Sequence, residues 1–517
     1  MSRLPPPRPN RAARLSGYTS LLTAGVVLLA VIAAAPLVAT AANVLPSVYE
    51  PAGTGGYPAL DRALAKLETH RRLLVVGAHP DDEDTSALAL VSRELGGEAA
   101  YLSLSRGEGG QNLIGPDLGE ALGVLRTQEL LAARGVDGAR QYFTRAFDFG
   151  YTRSLPETFG QWPEEVLLAD AVRIVRRFKP QVILSVFGND GTGGHGQHQA
   201  AGHTAFLAFA RSAEPVPALD QSGEMAAPWK AQALFRAAWF APESATVSRP
   251  LGAIDPWSGM STVQLAMKSR GQHRSQDMGR LLELGPRDGK YTFIEGPGGA
   301  SGAGGNDLFA GIDTSLAGIA ATLAPGPLAN QVRSHLESSA AAVRAARSAL
   351  RPDNLAAVVT PLVRALAELD AARAACTAAK QPGARAVAEL IAEKIAVGAQ
   401  ALLIAGGVAI DVFVDRAELV PGEPLKLSIA LWNAGSKAVK TLRLATGGEL
   451  GRALAAAAEG GFAEQLAAHG EIAAGELVRF EQTLAVSPDA RTTRPYFLEL
   501  PRREALYDWS AAAELQS

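Results

Sequence analysis

The 517-residue chain is too long for one ordinary domain and predicts roughly two to four. Its 49 basic and 52 acidic residues give a net charge of −3, which leaves no basic footprint for a nucleic-acid partner. The single cysteine, Cys376, excludes an intramolecular disulfide and a cysteine-built metal site.

The N-terminal segment predicts export. Four arginines precede a charge-free stretch whose apolar centre covers residues 21–42, and residues 39–41 form a small-x-small cleavage site. We therefore predict a signal peptide over residues 1–42, cleaved near Ala41 or Ala42. An apolar run of about 20 residues is also long enough for an uncleaved membrane anchor. Either alternative places the rest of the chain in the periplasm, outside the cell or on the outer side of the cytoplasmic membrane.

Residues 73–84 predict a strand, a tight turn and the start of a helix in direct succession. Four apolar residues form the strand, and Gly77 allows the turn. Asp84 or Thr85 can then cap a helix that runs to residue 95. One histidine and four carboxylates lie in the loop between them, at the carboxyl end of the strand. Open α/β sheets bind their ligands at such ends.

This acidic loop admits two interpretations. Its crowded carboxylates repel one another, and a bound cation relieves that repulsion more than a helix N-terminus does. His79 and Asp82 can reach one metal ion, while Asp81 stays beside it to move protons. The alternative is an acidic helix cap with a surface histidine, and the loop alone does not decide between the two.

Strands and helices alternate further along the chain. We predict strands over residues 99–105, 142–147 and 182–187, and helices over residues 60–67, 118–133 and 163–178. The alternation predicts an α/β domain over residues 45–305, with a Rossmann-like, mostly parallel sheet and helices on both faces.

Two features near the second strand have alternative interpretations. The loop at residues 106–112 is either a binding loop, because its glycines and polar side chains follow a strand end, or an ordinary polar turn. On the following helix, Arg126 and Glu129 lie about one turn apart and can pair on its surface.

A second polar stretch, residues 188–203, leads into a helix predicted over residues 204–210. Its His195 and His198 are three positions apart, so both can point into the same space if the segment is helical. A core histidine usually stands alone among apolar neighbours, so this glycine-rich pair favours a metal site. His203, deeper in the helix, predicts a packing or supporting role.

The two polar loops together predict a metal centre. His79, Asp82 and one of His195 or His198 supply two histidines and a carboxylate, a set that leaves a catalytic zinc one open position. Asp81 can accept a proton from water, and the remaining histidine, if protonated, can stabilise an oxyanion. The same ligand set also serves non-haem Fe2+. The extra carboxylate and histidine, which hydrolysis uses, favour Zn2+.

The remainder of the chain predicts further modules. Before residue 305 we expect a strand at residues 233–240, a helix at residues 263–282 that carries His273, and a glycine-rich loop at residues 296–305. Composition then predicts a helical region over residues 306–408 with a kink at Pro361, and alternating apolar residues predict a β-sandwich-like module over residues 409–517. An alanine-rich stretch, residues 452–474, fits that module poorly.

These motifs resemble the LmbE/PIG-L family of metal-dependent deacetylases, which hydrolyse N-acetylglucosaminyl compounds and related amides. The resemblance covers roughly residues 70–300 and lies in residues 78–83, residues 105–112, Arg126-x-x-Glu129 and His195-x-x-His198. Gly196-Gln197 stands where many members have Pro-Asp.

The resemblance implies a role for each motif residue. It implies metal ligands at His79, Asp82 and His198, Asp81 as general base, and His195 as the oxyanion-stabilising residue. Glu83 would support the loop, and weaker candidates for substrate contact are Arg106, Glu108 and Asn112.

The sequence therefore favours an exported zinc-dependent N-deacetylase acting on a small-molecule or glycan substrate of the N-acetylglucosamine type. One alternative is a non-catalytic glycan-binding or envelope protein, and another is an amidase that cleaves a larger amide conjugate. In longer exported family members the β portion continues further, so an incomplete module is expected here.

Overall fold

A computed structural model describes residues 51–214, 227–279, 281–297, 305–440, 462–490, 492 and 494–510. The predicted signal peptide or anchor over residues 1–42 lies outside these ranges, as do most of the glycine-rich loop and half of the alanine-rich stretch. Within the described ranges, no helix has the length and apolar character that crossing a bilayer requires.

The chain divides into two compact units. The first, which we call the sheet unit, takes its described residues from Ala65–Ala340, Ala371–Ile391 and Tyr496–Ser517. The second, the β-module unit, takes them from Met1–Leu64, Ala341–Asp370 and Ala392–Pro495. The described segment after Pro495 thus belongs to the sheet unit. The predicted module over residues 409–517 therefore extends too far towards the C-terminus. The physical reason is that Phe497, Tyr507 and Trp509 pack around Phe147.

A seven-stranded sheet forms the centre of the sheet unit. Its strands are β1 (Arg72–Gly77), β2 (Glu98–Ser103), β3 (Arg140–Phe143), β4 (Val182–Ser185), β5 (Ala233–Ala237), β6 (Val247–Pro250) and β7 (Asp288–Glu295). The spatial order is β3-β2-β1-β4-β5-β7-β6; the first five strands run parallel, and β7 runs antiparallel to β5 and β6. The predicted mostly parallel sheet is confirmed.

The strand order explains where a ligand site can form. Chain order reverses at β1, which pairs with β2 on one side and with β4 on the other, so that Val75 lies opposite both Tyr101 and Leu184. All six residues of β1 are buried. A reversal of this kind opens a crevice beyond the carboxyl ends of the two strands, and the two polar loops follow β1 and β4.

Helices flank the sheet as predicted, with some different limits. They are α1 (Gly56–Glu68), α2 (Thr85–Ala89), α3 (Glu120–Asp137), α4 (Leu155–Phe159), α5 (Glu164–Phe178), α6 (Gly196–Arg211) and α7 (Thr262–Arg270). Helix α2 continues as a π-helical turn, Leu90–Glu94. The helix predicted over residues 263–282 is wrong beyond Arg270, because Gly271 caps its C-terminus and a short 3-10 turn, Arg274–Gln276, follows.

Three long helices confirm the predicted helical region: α8 (Pro327–Ala349), α9 (Val359–Ala378) and α10 (Ala384–Gly406). Each contributes residues to both units. The predicted kink at Pro361 was based on a helix that passes through this residue, but Pro361 lies in the first turn of α9. There its missing N–H group removes no hydrogen bond.

The β-module unit contains the predicted antiparallel strands. They are β8 (Val408–Val414), β9 (Pro424–Asn433), β10 (Val439–Lys440), β11 (Glu471–Ile472) and β12 (Leu477–Ala485), with helix α11 (Phe462–His469) before β11. Strands β12, β9 and β8 form one sheet, and β10 pairs with β11. Helix α11 accounts for part of the alanine-rich stretch that fitted a sandwich poorly.

Candidate metal centre

The corner between β1 and α2 folds its acidic loop back on the strand end. Both oxygens of Asp82 are used there: Oδ2 accepts the N–H groups of Ala78 at 2.9 Å and His79 at 2.8 Å, and Oδ1 faces the other corner. Gly77 is required because a Cβ atom at this position would lie 2.5 Å from the Tyr101 hydroxyl. Asp84 is the helix cap, accepting the N–H of Ala87 at 2.9 Å. The loop therefore caps α2 through Asp84 and also leaves the Oδ1 atom of Asp82 facing the crevice.

The corner between β4 and α6 brings the histidine pair to the same place. Helix α6 begins at Gly196, earlier than predicted, so His195 is its N-cap and His198 lies in its first turn. The ring of His198 stacks on Phe187 with centroids 3.9 Å apart, and its Nδ1 lies 3.1 Å from the carbonyl oxygen of Gly193. These two contacts direct Nε2 of His198 towards Asp82.

The predicted ligands converge across the crevice. Asp82 lies between two imidazoles, with Oδ2 3.4 Å from Nδ1 of His79 and Oδ1 3.4 Å from Nε2 of His198. His195 lies against them, and ring nitrogens of His79, His195 and His198 fall within 4.8 Å of one another. Nδ1 of His195 is buried without a hydrogen-bond partner among the described residues. The geometry thus gathers the predicted set and also a three-histidine set.

Charges within the cluster are strongly coupled. Burial opposes ionisation of Asp82, but His198 and His79 hold its pKa well below the usual range. Burial likewise opposes a charge on His79, yet Asp82 and Asp148 outweigh it and raise the pKa of His79 to about 9. Burial and the two neighbouring histidines lower the pKa of His195 to about 4. At neutral pH the cluster therefore combines an anionic Asp82 carboxylate with a protonated His79 and a neutral His195.

The lowered pKa of His195 changes the role expected for it. Oxyanion stabilisation was predicted on the condition that this ring is protonated. Burial and the neighbouring histidines thus favour the neutral ring at neutral pH, which disfavours stabilisation of an oxyanion by a positive charge on His195. A neutral imidazole still carries one N–H group and can donate a hydrogen bond.

Asp81 lies beside the cluster in a strained backbone conformation. Its φ is 131°, a region that residues other than glycine rarely adopt. Such strain tends to occur at functional sites where the surroundings enforce it. Burial and the neighbouring Asp82 carboxylate raise the pKa of Asp81 to about 7. A carboxylate with a pKa near the working pH is suited to accept and release a proton.

A buried network under the loop enforces that conformation. Glu83 accepts the N–H of Asp81 on Oε2 at 3.0 Å, while its Oε1 receives His273 at 2.5 Å and Arg134 at 3.2 Å. Arg134 also pairs with Asp137 at 2.7 Å. Burial opposes ionisation of Glu83, but His273 and Arg134 lower its pKa to about 2. The supporting role that the resemblance implied for Glu83 has this physical basis.

Replacing His273 by alanine tests the network. The variant removes one donor from the buried Glu83 carboxylate and should lower the free energy of unfolding by about 1–3 kcal/mol. Turnover should also fall, because Glu83 holds the strained Asp81 peptide. Urea unfolding and a product assay measure the two effects.

His203→Ala is the matched control. The ring of His203 is half-buried and bonds to Asn189 and Glu164, both exposed. This change should alter unfolding by less than about 0.5 kcal/mol. Equal effects of the two substitutions would contradict the role given to His273.

Asp148 completes the polar surroundings and was missed in the sequence. It is buried, and its Oδ2 lies 3.9 Å from Nε2 of His79. Its Oδ1 accepts the N–H of Gly150 at 2.9 Å and the side-chain amide of Gln197 at 3.1 Å. The signal was present, since Asp148 directly follows the strand predicted over residues 142–147 and so lies at the same sheet edge.

The departure from the usual second motif has a structural explanation. A Cβ atom at Gly196 would lie within 2.5 Å of the Thr158 and Thr152 hydroxyls, so a larger residue does not fit. Gln197 donates to Asp148, where a second carboxylate would repel it. The pair Gly196-Gln197 thus fits this particular site.

The three weaker substrate candidates do not face the cluster as substrate contacts would. Arg106 is buried between the rings of Phe143 and Phe497, 3.9 Å and 3.7 Å from its guanidinium carbon. Glu108 is buried, and accepts hydrogen bonds from within the sheet unit. Asn112 is half-buried and bonds within its own loop. Loop support, rather than substrate contact, accounts for the contacts that these three side chains make.

Arg126 and Glu129 do not pair on the surface of α3. Arg126 is buried, donates to the carbonyl oxygen of Gln111, and lies so close to Gly110 that a Cβ atom there would be 2.5 Å from its Nη1. Glu129 instead accepts the N–H of Ser275 at 2.7 Å. Burial lowers the pKa of Arg126, and the Asp81 and Asp148 carboxylates oppose that change. The buried Arg126 guanidinium therefore interacts electrostatically with both the Asp81 and the Asp148 carboxylates.

Comparisons with known proteins find similarity in the part of the chain that carries this candidate site. Residues 74–209 match the family described as PIG-L, GlcNAc-PI de-N-acetylase, and form a PIG-L family domain. Deacetylases of 1D-myo-inositol 2-acetamido-2-deoxy-alpha-D-glucopyranoside are similar to the chain. The one from Thermobifida fusca is 32% identical over 32% of this chain and 61% of its own length; the one from Streptomyces griseus is 32% identical over 29% and 52%. The match therefore spans little more than half of these curated relatives.

Among solved structures, the N,N'-diacetylchitobiose deacetylase from Pyrococcus horikoshii aligns with 16% identity and a TM-score of 0.30. The alignment covers 40% of this chain and 71% of that one.

Proposed function

We propose that this chain, in which residues 74–209 form a PIG-L family domain, is a zinc-dependent hydrolase that removes the acetyl group from an N-acetylglucosamine-type sugar or glycoconjugate. The observation that carries the proposal is the convergence of His79, Asp82 and His198 beside the Asp81 carboxylate. The curated relatives from Thermobifida fusca and Streptomyces griseus, both named as deacetylases of an acetamido sugar, support this substrate class.

The donor set fits zinc. Two imidazole nitrogens each lie 3.4 Å from a different oxygen of the Asp82 carboxylate, and His79, Asp82 and His198 would hold the ion. A zinc ion bound there would lower the pKa of its water and polarise the amide carbonyl. His195 would remain beside it as a neutral ring.

The protein's own groups then carry the proton chemistry. Asp81, whose pKa of about 7 leaves it partly ionised at neutral pH, accepts the proton of the attacking water. The new C–O bond places negative charge on the carbonyl oxygen, and the N–H group of neutral His195 donates to that oxygen. Asp81 returns its proton to the nitrogen as the C–N bond breaks, which gives acetate and the free amine.

A panel of N-acetylated sugars tests the proposal directly. The purified chain should release acetate and amine in equal amounts from GlcNAc-inositol or from another N-acetylglucosamine compound, and should lose this activity to a chelator. Binding of these sugars without acetate release would favour the non-catalytic alternative. Release of an acyl group larger than acetate from an amide conjugate would favour the amidase alternative.

Tyr151 supplies an aromatic surface for a sugar ring at this site. Its side chain is 73% exposed, and its ring centroid lies 5.6 Å from that of His195. An exposed aromatic face beside a reaction centre is suited to pack on the apolar face of a sugar.

Tyr151→Ala should therefore raise KM for the acetamido sugar about tenfold, the loss of roughly 1.4 kcal/mol of aromatic contact. Its kcat and metal content should change little. Steady-state kinetics measure this, with Trp432→Ala, an aromatic residue 50% exposed in the β-module unit, as the control. An unchanged KM in the Tyr151 variant would remove this residue from the sugar site.

We also propose that the chain is exported, because residues 1–42 have the basic, apolar and small-residue regions of a signal peptide. Cell fractionation and N-terminal sequencing of the mature protein test this. An intact N-terminus on a protein in the cytoplasmic fraction would contradict it.

A further inference from the structure

The described segment Tyr496–Ser510 is built into the sheet unit beside the metal centre. Its backbone joins the chain after β3: Phe147 donates its N–H to Ala505 at 2.9 Å, and Tyr507 donates its N–H to Arg145 at 2.7 Å. Phe497, Tyr507 and Trp509 form a buried cluster with Phe147. Phe147 directly precedes Asp148, so this segment packs against the strand extension that carries Asp148.

A hydrogen-bond path leads from this segment to Asp148. The hydroxyl of Tyr507 donates to Oε1 of Glu108 at 2.8 Å. The other oxygen of Glu108 accepts the backbone N–H of Asp148 at 3.0 Å and that of Arg106 at 3.1 Å. Tyr507 and Glu108 are both buried, so water does not readily replace these bonds.

Asp148 in turn faces a predicted metal ligand. Its Oδ1 is held by Gly150 and Gln197, and its Oδ2 points towards Nε2 of His79 at 3.9 Å. Because Nδ1 of His79 faces Asp82, Nε2 is the nitrogen on the opposite edge of the ring. Carboxylates on that edge commonly orient a metal-binding histidine, and their loss costs about 10–100-fold in metal affinity or activity.

We infer that Tyr507 is a positioning residue for the metal centre: through Glu108 it fixes the backbone of Asp148, and through Asp148 the orientation of His79. The inference rests on the proposed function for its kinetic consequences, although the positioning itself does not. The C-terminal segment, which follows the β module in sequence, therefore helps to position the metal centre of the proposed deacetylase.

The hydroxyl and the ring of Tyr507 make different contacts. The ring packs edge-on against Phe147 and Phe497, with centroids 5.8 Å and 5.2 Å away, and phenylalanine would keep these contacts. Only the hydroxyl reaches Glu108. Burial raises the pKa of Glu108 to about 7, because it disfavours the charged carboxylate. The hydrogen bond from Tyr507 favours the charged form and so opposes this shift.

Tyr507→Phe in the full chain tests the inference by three measurements. Amide hydrogen exchange at Asp148 should become about tenfold faster. Zinc affinity, measured by competition with a chelator, should fall about tenfold. For acetate release, kcat should fall by a similar factor while KM stays within about twofold.

Tyr142→Phe is the matched control, since Tyr142 lies on β3 and its ring packs against Phe178. It should leave all three quantities unchanged. Unchanged exchange at Asp148 and unchanged zinc affinity in Tyr507→Phe would overturn the inference. An equal rise in exchange throughout the sheet unit would also overturn it. The Tyr507 hydroxyl would then stabilise the whole unit rather than Asp148 in particular.

The two proposals can fail separately. If the unaltered chain binds zinc but releases no acetate, the proposed function fails, while exchange and zinc affinity still decide the role of Tyr507. If acetate is released at the same rate and zinc is bound equally tightly by Tyr507→Phe, the role of Tyr507 fails and the proposed function stands.

Discussion

Replacing Asp81 by asparagine should lower kcat by about 10²–10⁴-fold, the usual contribution of a general base. The amide has nearly the same shape but cannot accept a proton from water. Asp81 is not among the histidines and carboxylate that face one another at 3.4 Å, so zinc content should stay near that of the unaltered chain. Acetate release and metal analysis on the same sample measure both.

Asp190→Asn is the matched control for this variant. Asp190 lies in the loop after β4, is exposed, and pairs with Arg236 at 2.9 Å rather than with the histidine cluster. Its replacement should leave kcat within about twofold of the unaltered value. Full activity in Asp81→Asn would show that another group moves the proton; loss of zinc would show that Asp81 is a ligand.

Asp82→Ala should remove both zinc and activity, because it deletes the carboxylate that lies between His79 and His198. Loss of one of three ligands should weaken zinc binding by at least about 100-fold. Asp82 also accepts the N–H groups of Ala78 and His79, so the loop itself should loosen. Equilibrium zinc binding and acetate release measure the outcome.

His195→Ala distinguishes the two ligand sets that the geometry allows. If His79, Asp82 and His198 hold the ion, this variant should retain zinc while kcat falls about 10²–10³-fold through loss of a hydrogen bond to the oxyanion. If His79, His195 and His198 hold it instead, zinc should be lost from His195→Ala. Retention of zinc in Asp82→Ala would likewise contradict the assignment of Asp82.

The sequence predicts the residues that carry the chemistry of this site better than it predicts the buried residues that hold them in place. His79, Asp82, His195 and His198 are recognisable because polar residues of these types directly follow predicted strands, and parallel strand ends meet at one sheet edge. Their partners are less visible. Arg134 and His273 reach Glu83 from α3 and from beyond α7, and no local pattern encodes a contact between such distant positions.

Errors in the predicted elements also have local physical causes. The glycine-rich residues 191–196 are typical of a loop, and the sequence predicts the helix only from residue 204. Glycine at 196 instead allows α6 to begin close to Thr158. Pro361 was expected to kink a helix that in fact starts beside it. Helix ends depend on such close contacts, which composition does not reveal.

The C-terminal segment is the clearest case where sequence order misleads. Residues 496–510 follow a run of antiparallel strands and were predicted as part of that module. Their aromatic side chains pack instead around Phe147 in the sheet unit. Long-range packing of this kind is decided by complementary buried surfaces rather than by periodicity along the chain.

Zinc titration of the metal-depleted chain tests the central claim most directly. Acetate release from an N-acetylglucosamine compound should be absent without the ion, rise in proportion to added zinc, and level off at about one zinc per chain. Acetate release that is independent of zinc, or zinc binding at this ratio with no release from any N-acetylated sugar, would contradict it.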